Sequence, residues 1–107
     1  MSKILGEILN KKKLSKFSVT KIKGVRIMVF NKRQWEYLRK CWHLTPREIE
    51  VAKLVCKDLD NDRIADKLNI AYNTVRSHLG NVFRKMGVRG KTSVILEFIN
   101  VLRKAKI

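Results

Sequence analysis

The sequence predicts a mainly α fold, with four helices in residues 44–107 preceded by a small segment, residues 1–43, that carries a β-hairpin and a helix. In the stretch 73–86 the apolar residues recur at helical spacing and form one stripe. The members of this stripe are Val75, Leu79, Val82, Phe83 and Met86. A capping signature at Thr45 and a stop at Gly87 mark further helix boundaries on either side.

The beginning of the chain combines a helical pattern with a strand pattern. Residues 1–10 place their apolar side chains on one side of a predicted short helix. In residues 17–30, β-branched residues flank a turn at Gly24, which predicts a β-hairpin. An isolated hairpin is only marginally stable, so we expect it to pack on another element.

A third element of the first segment is a helix capped by Asn31 and extending through about Cys41. This helix would present Trp35, Leu38 and Trp42 along one side. We expect the tryptophans to dock onto the following domain rather than to stack on bases.

The second domain opens with a capping box. Thr45 is the predicted N-cap, Pro46 occupies the first helical position, and Glu48 lies three residues after the cap. An Asp- and Asn-rich turn then leads to a short helix over residues 63–68. After the 73–86 helix, a last helix is predicted from Lys91 to about Lys104.

The outer face of the 73–86 helix is polar and carries no acidic residue. Its members are Asn73, Arg76, Ser77, Gly80, Asn81 and Arg84. A helix with one apolar side and one side of arginine and amide groups suits the major groove of DNA. Two short helices joined by a tight turn, the second with such a face, form a helix-turn-helix.

The charge balance favours a polyanionic partner. The 107 residues include 25 Lys and Arg against 9 Asp and Glu, a formal net charge of +16. Twelve basic and two acidic residues lie in residues 1–43. Self-repulsion of this size is relieved by a polyanion, and nucleic acid is the first candidate. No apolar run approaches the roughly 20 residues of a spanning helix, and no signal-peptide core is present. We therefore expect no membrane partner and a cytoplasmic location.

The last helix has two apolar stripes, one more than a small domain usually needs for its core. Val94, Phe98 and Val101 form one stripe, and the other is formed by Ile95, Ile99 and Leu102. A remaining stripe predicts a partner, most simply a second copy of the chain. The alternative is that the N-terminal segment packs there, so that both stripes are core.

Three stretches together resemble the LuxR-type helix-turn-helix domain of the NarL/FixJ response regulators and quorum-sensing regulators. They are Leu44-Thr-Pro-Arg-Glu-Ile-Glu-Val, Asn61-Asp-Arg-Ile-Ala-Asp-Lys-Leu and Asn73-Thr-Val-Arg-Ser-His-Leu-Gly-Asn-Val-Phe-Arg-Lys-Met-Gly-Val. The resemblance covers residues 44–102. It implies a transcription factor of four helices, with the third in the major groove and the fourth commonly making the dimer contact.

The resemblance and the charges together assign site residues. The base-reading residues are expected to be Arg76, Ser77, Gly80 and Asn81. The phosphate contacts are expected from Arg63, Lys67, Asn73, Thr74, Arg84, Lys85, Arg89 and Lys91. The dimer interface is expected from Ile95, Phe98, Ile99 and Leu102.

Two positions depart from the family pattern. Gly80 stands where the family often has a longer polar side chain, so Asn81 is expected to take over that base contact. Ala71 stands where many members carry a Ser or Thr cap, and Asn73 is the alternative cap.

No feature of the sequence predicts an enzyme, a cofactor or a metal site. The chain lacks paired carboxylates, a Gly-rich phosphate loop and a nucleophile with a positioned base. The spacing of Cys41, His43, Cys56 and His78 fits no common zinc site. The alternatives to a DNA-binding regulator are an RNA-binding protein, through the N-terminal aromatic residues, and a protein-interaction module.

Residues 1–43 have two candidate uses. They would serve either as a basic arm that adds non-specific attraction to DNA or as a docking unit for RNA polymerase or another regulator. The usual sensor domain of the family has no counterpart in this sequence.

Overall fold

The computed structural model describes residues 18–22 and 25–107. In these residues two strands, β1 (Ser18–Ile22) and β2 (Val25–Val29), precede five helices. The helices are α1 (Lys32–Trp42), α2 (Pro46–Cys56), α3 (Asn61–Leu68), α4 (Tyr72–Met86) and α5 (Lys91–Ala105). No helix in the described part of the chain has the length and apolar character needed to cross a membrane.

The strands pair antiparallel, with Ser18 opposite Val29 and Ile22 opposite Val25. The predicted hairpin is therefore present. The mainly α architecture and the four helices after residue 44 are confirmed. The short helix predicted for residues 1–10 falls outside the described residues.

Side-chain caps fix the beginnings of α1 and α2. The Asn31 side chain accepts a hydrogen bond from the backbone N–H of Gln34, and the Gln34 side chain accepts one from the backbone N–H of Asn31, each at 2.8 Å. Thr45 and Glu48 form the same reciprocal box at α2, as the sequence predicted. Such boxes satisfy amide groups that have no partner inside the helix.

The beginning of α4 differs from the prediction. Its N-cap is Ala71, which makes no side-chain capping bond, and the helix already includes Tyr72. Asn73 lies inside the first turn, so the suggestion that Asn73 caps the helix is wrong. At the other end Gly87 has a φ of 70°, the left-handed conformation that glycine adopts without a Cβ clash.

Two apolar clusters form the core, and α2 contributes to both. One cluster joins α2 to α3 and α4 through Val51, Leu54, Val55, Ile64, Ala65, Val75 and Leu79. The other joins α1, α2 and α5 to the end of α4, and its members include Trp35, Leu38, Ile49, Met86, Phe98 and Leu102. Because Phe83 and Ile95 pack against both clusters, the two are continuous.

Helix α1 is part of this core rather than an appendage. The Phe98 ring of α5 lies 5.5 Å from the Trp35 ring, 5.8 Å from the Trp42 ring and 6.3 Å from the Phe30 ring, measured between centroids. The Gln34 amide nitrogen also donates to the backbone carbonyl of Ile107, at 3.0 Å. The expected docking of the tryptophans onto the second domain is thus observed. The sequence predicted a domain boundary between residues 43 and 44, but residues on both sides of it belong to one core cluster.

This packing corrects the expected dimer interface. Phe98, Ile99 and Leu102 each have 0% of their surface exposed in the single chain. Ile95 is half-buried and packs against both clusters. The α1 tryptophans pack on Phe98 of the first stripe, and Ile99 and Leu102 of the second stripe belong to the same cluster as Trp35 and Leu38. Both stripes are therefore core, and the alternative that the N-terminal segment packs there is the one observed.

Candidate nucleic-acid interface

The outer face of α4, defined by Asn73, Arg76, Ser77, Gly80, Asn81 and Arg84, points away from the core. Its inner stripe is buried, with Val75 and Val82 fully inaccessible and Leu79 4% exposed. Asn73, Arg76 and Ser77 are exposed, whereas Gly80, Asn81 and Arg84 are exposed or half-buried. Burial of one side of α4 therefore fixes the direction in which the other side faces.

Arg76 and Ser77 stand in the middle of this outer face. Neither side chain makes a hydrogen bond or ion pair with any other described residue, and both are exposed. The guanidinium of Arg76 therefore retains all its donors for a planar acceptor pair. This is the group best suited to the O6 and N7 atoms of a guanine.

Gly80 leaves an opening one turn after Arg76. A Cβ placed at Gly80 would meet no atom within 4 Å. The site therefore offers no base-reading side chain, and it also permits close approach of a ligand to the α4 backbone. Gly80 can therefore take part in base reading only by letting DNA come close to the α4 backbone.

Asn81 is less available than the sequence suggested. Its side-chain oxygen accepts a 2.6 Å hydrogen bond from the Arg84 guanidinium. The residue is also half-buried. The hydrogen bond from Arg84 uses one acceptor position of the Asn81 amide, and the two N–H donors of the amide stay available for a base acceptor.

Lys85 does not fit its expected role as a phosphate contact. Its ammonium lies 2.7 Å from Oε1 of Glu48 and donates to the backbone carbonyl of His43, at 3.1 Å. Burial raises the pKa of the Glu48 carboxyl, but the hydrogen bonds from Lys85 and Thr45 outweigh burial and leave this pKa below its ordinary value. Lys85 is therefore neutralised by a buried carboxylate inside the fold.

The remaining expected phosphate contacts are distributed around α4. Arg63 and Lys67 are exposed on α3, and Arg89 lies in the turn before α5. Thr74 is exposed in the first turn of α4. Lys91 is half-buried and lines a cleft of about 230 Å³ together with two carboxylates, those of Asp58 and Asp60. These carboxylates lower the local positive potential, which makes Lys91 a weaker candidate than the others.

A second, open groove of about 480 Å³ lies between the turn that follows α4 and the first half of α5. It is lined by Gly87, Val88, Arg89, Ser93, Leu96 and Glu97. Leu96 is half-buried here and belongs to neither core cluster. The groove therefore contains a partly exposed apolar side chain of α5 that lies outside the core.

The described residues contain no group of three or more His, Cys, Asp and Glu side chains arranged to hold a metal ion. The two thiols differ sharply in environment. Cys41 is exposed on α1, whereas Cys56 is buried and its burial raises the pKa of the thiol to about 12.

Tyr72 was not assigned to the outer face of α4 from the sequence, yet it is the first residue of α4 and is 45% exposed. Its position four residues before Arg76 was the available signal, since residues at this spacing share one side of a helix. Because the sequence predicted a helix that begins at Asn73, Tyr72 fell outside it.

Comparison with known proteins identifies relatives for this part of the chain. The family model described as "Bacterial regulatory proteins, luxR family" matches residues 42–98. The spore germination protein GerE of Bacillus subtilis (strain 168) is 38% identical over 58 residues, which are 54% of this chain and 78% of GerE. No solved structure matches the chain.

Two longer relatives match the same region. The transcriptional regulatory protein DegU of Brevibacillus brevis is 34% identical over 67 residues, 63% of this chain and 28% of DegU. The nitrate/nitrite response regulator protein NarP of Escherichia coli (strain K12) is 38% identical over 56 residues, 52% of this chain and 26% of NarP. The match thus spans about a quarter of the length of these two regulators.

Proposed function

Because this chain belongs to the luxR family of bacterial regulatory proteins, whose members are DNA-binding transcriptional regulators, we propose that it regulates transcription by binding specific sequences in double-stranded DNA. The observation that carries this proposal is the outer face of α4. It presents the guanidinium of Arg76, which no described residue engages, on a helix whose other side packs into the core. In this proposal α4 lies in the major groove and Arg76 contacts a guanine.

Affinity would come mainly from phosphate neutralisation. Arg63, Lys67, Arg84 and Arg89 are cations on or near α4 that no described carboxylate pairs with. Each phosphate that a cation neutralises releases condensed counterions, so binding should weaken steeply with salt. The outer face of α4 then distinguishes one sequence from another.

The core packing removes two of the aromatic side chains on which the RNA-binding alternative depended, whereas Tyr37 stays exposed. That alternative depended on N-terminal aromatic side chains as a stacking platform. Phe30 and Trp35 are only 4% and 9% exposed, because they pack around Phe98. Their faces are therefore not open to unpaired bases.

Selection of bound duplexes from a random pool, at a fixed salt concentration, tests the proposed function. We expect enrichment of one motif, with a guanine at its best-determined position. A parallel competition with single-stranded RNA should displace the protein poorly. Recovery of a pool without any enriched sequence would contradict sequence-specific binding.

We further propose that two copies bind adjacent half-sites, roughly 10 base pairs apart from centre to centre. The face involved would be the open groove around Leu96 on α5, since Phe98, Ile99 and Leu102 are buried under α1. Arg89 and Glu97 flank this groove, so two copies related by a two-fold axis would place opposite charges against each other.

Sedimentation of the protein bound to the selected duplex tests this arrangement. Leu96→Asp should reduce the complex from two protein copies to one, because a carboxylate would be desolvated at the contact. Thr92→Asp is the matched control, since Thr92 is exposed on the same helix and does not line the groove. Two copies bound by both variants would exclude this face.

A further inference from the structure

Two of the four expected base-reading residues on the outer face of α4 do not offer a fully free side chain. Of the four expected base-reading residues, Gly80 has no side chain and Asn81 is hydrogen-bonded to Arg84. Arg76 and Ser77 alone retain unengaged side chains among them. The side chains of the outer face that are free to contact a base are therefore concentrated in the first half of α4.

Tyr72 lies in this first half, one turn before Arg76. Among the described side chains, Tyr72 and Tyr37 are the large apolar ones that stand exposed, at 45% and 38%. Tyr72 begins α4, and the preceding Ala71 contributes only a methyl group and no capping bond. The ring makes no hydrogen bond or aromatic contact with a described residue.

The position of Tyr72 relative to Arg76 follows from helix geometry. Residues four apart lie on the same side of a helix and are separated by about 6 Å along its axis. Consecutive base pairs are about 3.4 Å apart, so a side chain displaced by this distance along a helix in the major groove reaches a base pair within about two steps. If Arg76 contacts one base, the side chain of Tyr72 is therefore within reach of a neighbouring base pair.

The chemistry of the ring selects the group that it would contact. The edges of base pairs in the major groove are hydrogen-bonding groups, apart from the 5-methyl group of thymine. An aromatic ring is large and apolar, so removing it from water is favourable. Contact with a thymine methyl would remove both apolar surfaces from water.

We propose that Tyr72 is a specificity-determining residue of α4, whose ring contacts the methyl group of a thymine within about two base pairs of the base read by Arg76. This inference rests on the proposed function, because it requires α4 to lie in the major groove. It assigns a sequence preference to a residue outside the face predicted from the sequence.

Binding of the full chain to the selected duplex and to a duplex with deoxyuridine in place of each candidate thymine tests the proposal. Deoxyuridine lacks only the 5-methyl group. The unmodified protein should lose affinity about fivefold or more at one such position, near the low end of the loss that a changed base pair causes. Tyr72→Ala should bind the thymine duplex with a similar loss and should show no further loss with deoxyuridine.

Two further variants separate the ring from other causes. Tyr72→Phe should keep both the affinity and the sensitivity to deoxyuridine, because it keeps the ring. Tyr37→Ala is the matched control, as it removes a similarly exposed tyrosine from α1 and should bind like the unmodified protein. Thermal unfolding of each variant should match that of the unmodified protein, since both tyrosines are exposed.

Three outcomes would overturn the proposal. One is unchanged affinity of Tyr72→Ala, and another is an equal deoxyuridine effect in Tyr72→Ala and the unmodified protein. The third is a loss in Tyr72→Phe as large as in Tyr72→Ala, which would assign the contact to the hydroxyl group. In each case, loss of specific binding by Arg76→Ala would show that the proposed function stands. Failure of the unmodified protein to select any sequence would overturn both.

Discussion

Lys85 of α4 and Glu48 of α2 form an ion pair in which Nζ lies 2.7 Å from Oε1. The Glu48 side chain is 4% exposed and that of Lys85 is 30% exposed. The same carboxylate oxygen accepts the backbone N–H of Thr45 at 2.9 Å, and Lys85 donates to the carbonyl of His43. The buried carboxylate of Glu48 therefore caps α2 and, through Lys85, holds the end of α4 against α2. The second hydrogen bond of Lys85 connects the end of α4 to the end of α1.

Replacement of Lys85 should destabilise the fold without weakening the attraction to DNA. Lys85→Met leaves the buried Glu48 carboxylate without its cation, and hydrogen bonds to charged groups contribute roughly 1.5–3 kcal/mol. We expect the free energy of unfolding in urea at neutral pH to fall by about this amount. Lys104→Met is the control, because Lys104 is exposed and unpaired among the described residues. The salt dependence of DNA binding should change no more in Lys85→Met than in the control.

The stability of the protein should depend on the ionisation of Glu48. Its pKa is lowered in the folded chain, so the unfolded state binds the proton more tightly. The stabilisation is fully present above the unfolded pKa of about 4.3 and is lost as the pH falls through the lower folded pKa.

Urea unfolding between about pH 2.5 and pH 6 measures this contribution, because the interval spans the ordinary pKa of glutamate. Glu48→Gln should be less stable than the unmodified protein at pH 6, and the difference should shrink toward the acidic end. Glu36→Gln is the control: its partner Arg39 also lowers the pKa of Glu36, but this pair is exposed and contributes little. Parallel stability curves for Glu48→Gln and the unmodified protein would contradict the assignment.

The packing of α1 on α5 should be essential to the stability of the chain. Trp35→Ala removes the ring that packs edge-on to Phe98, and substitutions of this kind cost about 3–5 kcal/mol. Tyr37→Ala is the control on the same helix, because Tyr37 is exposed. Calorimetric melting should show a large fall in Tm for the first variant and little change for the second. Similar melting of both variants would mean that α1 is not part of the cooperative unit.

Loss of Arg76 should affect specific binding more than binding to random sequence. Arg76→Ala removes a guanidinium that no described residue engages, and a bidentate guanine contact contributes about 1–3 kcal/mol of discrimination. Arg103→Ala, in the last turn of α5, removes the same charge away from α4. Fluorescence anisotropy with the selected and a scrambled duplex measures both affinities. Equal losses on the two duplexes would make Arg76 a phosphate contact.

The two cysteines should react at very different rates. Cys41 is exposed, whereas the thiol of Cys56 is buried with a pKa of about 12, and the thiolate is the reactive form. At a pH of about 8, near the ordinary pKa of a free thiol, a disulfide reagent should modify one thiol rapidly and the second only after denaturant is added. Cys41→Ser should abolish the rapid phase. Rapid modification of two thiols in the native protein would contradict the burial of Cys56.

Local features of this fold could be predicted from the sequence. The cap at Asn31, the capping box of Thr45 and Glu48, the hairpin and the stop at Gly87 all depend on residues within a few positions of one another. The apolar stripe of α4 also depends on nearby residues, and its burial determines the direction in which the outer face points. The motifs of the luxR family reside in the same local patterns.

The tertiary structure alone decided which long-range partner each side chain meets. The sequence placed Phe98 and Leu102 on apolar stripes, but α1 covers them, so they are core rather than an interface. The sequence predicted Lys85 to be a free cation, but in the fold it forms an ion pair with Glu48, which is 37 residues away. Periodicity assigns a residue to a face of its own helix, whereas burial and charge pairing depend on the element that packs against this face.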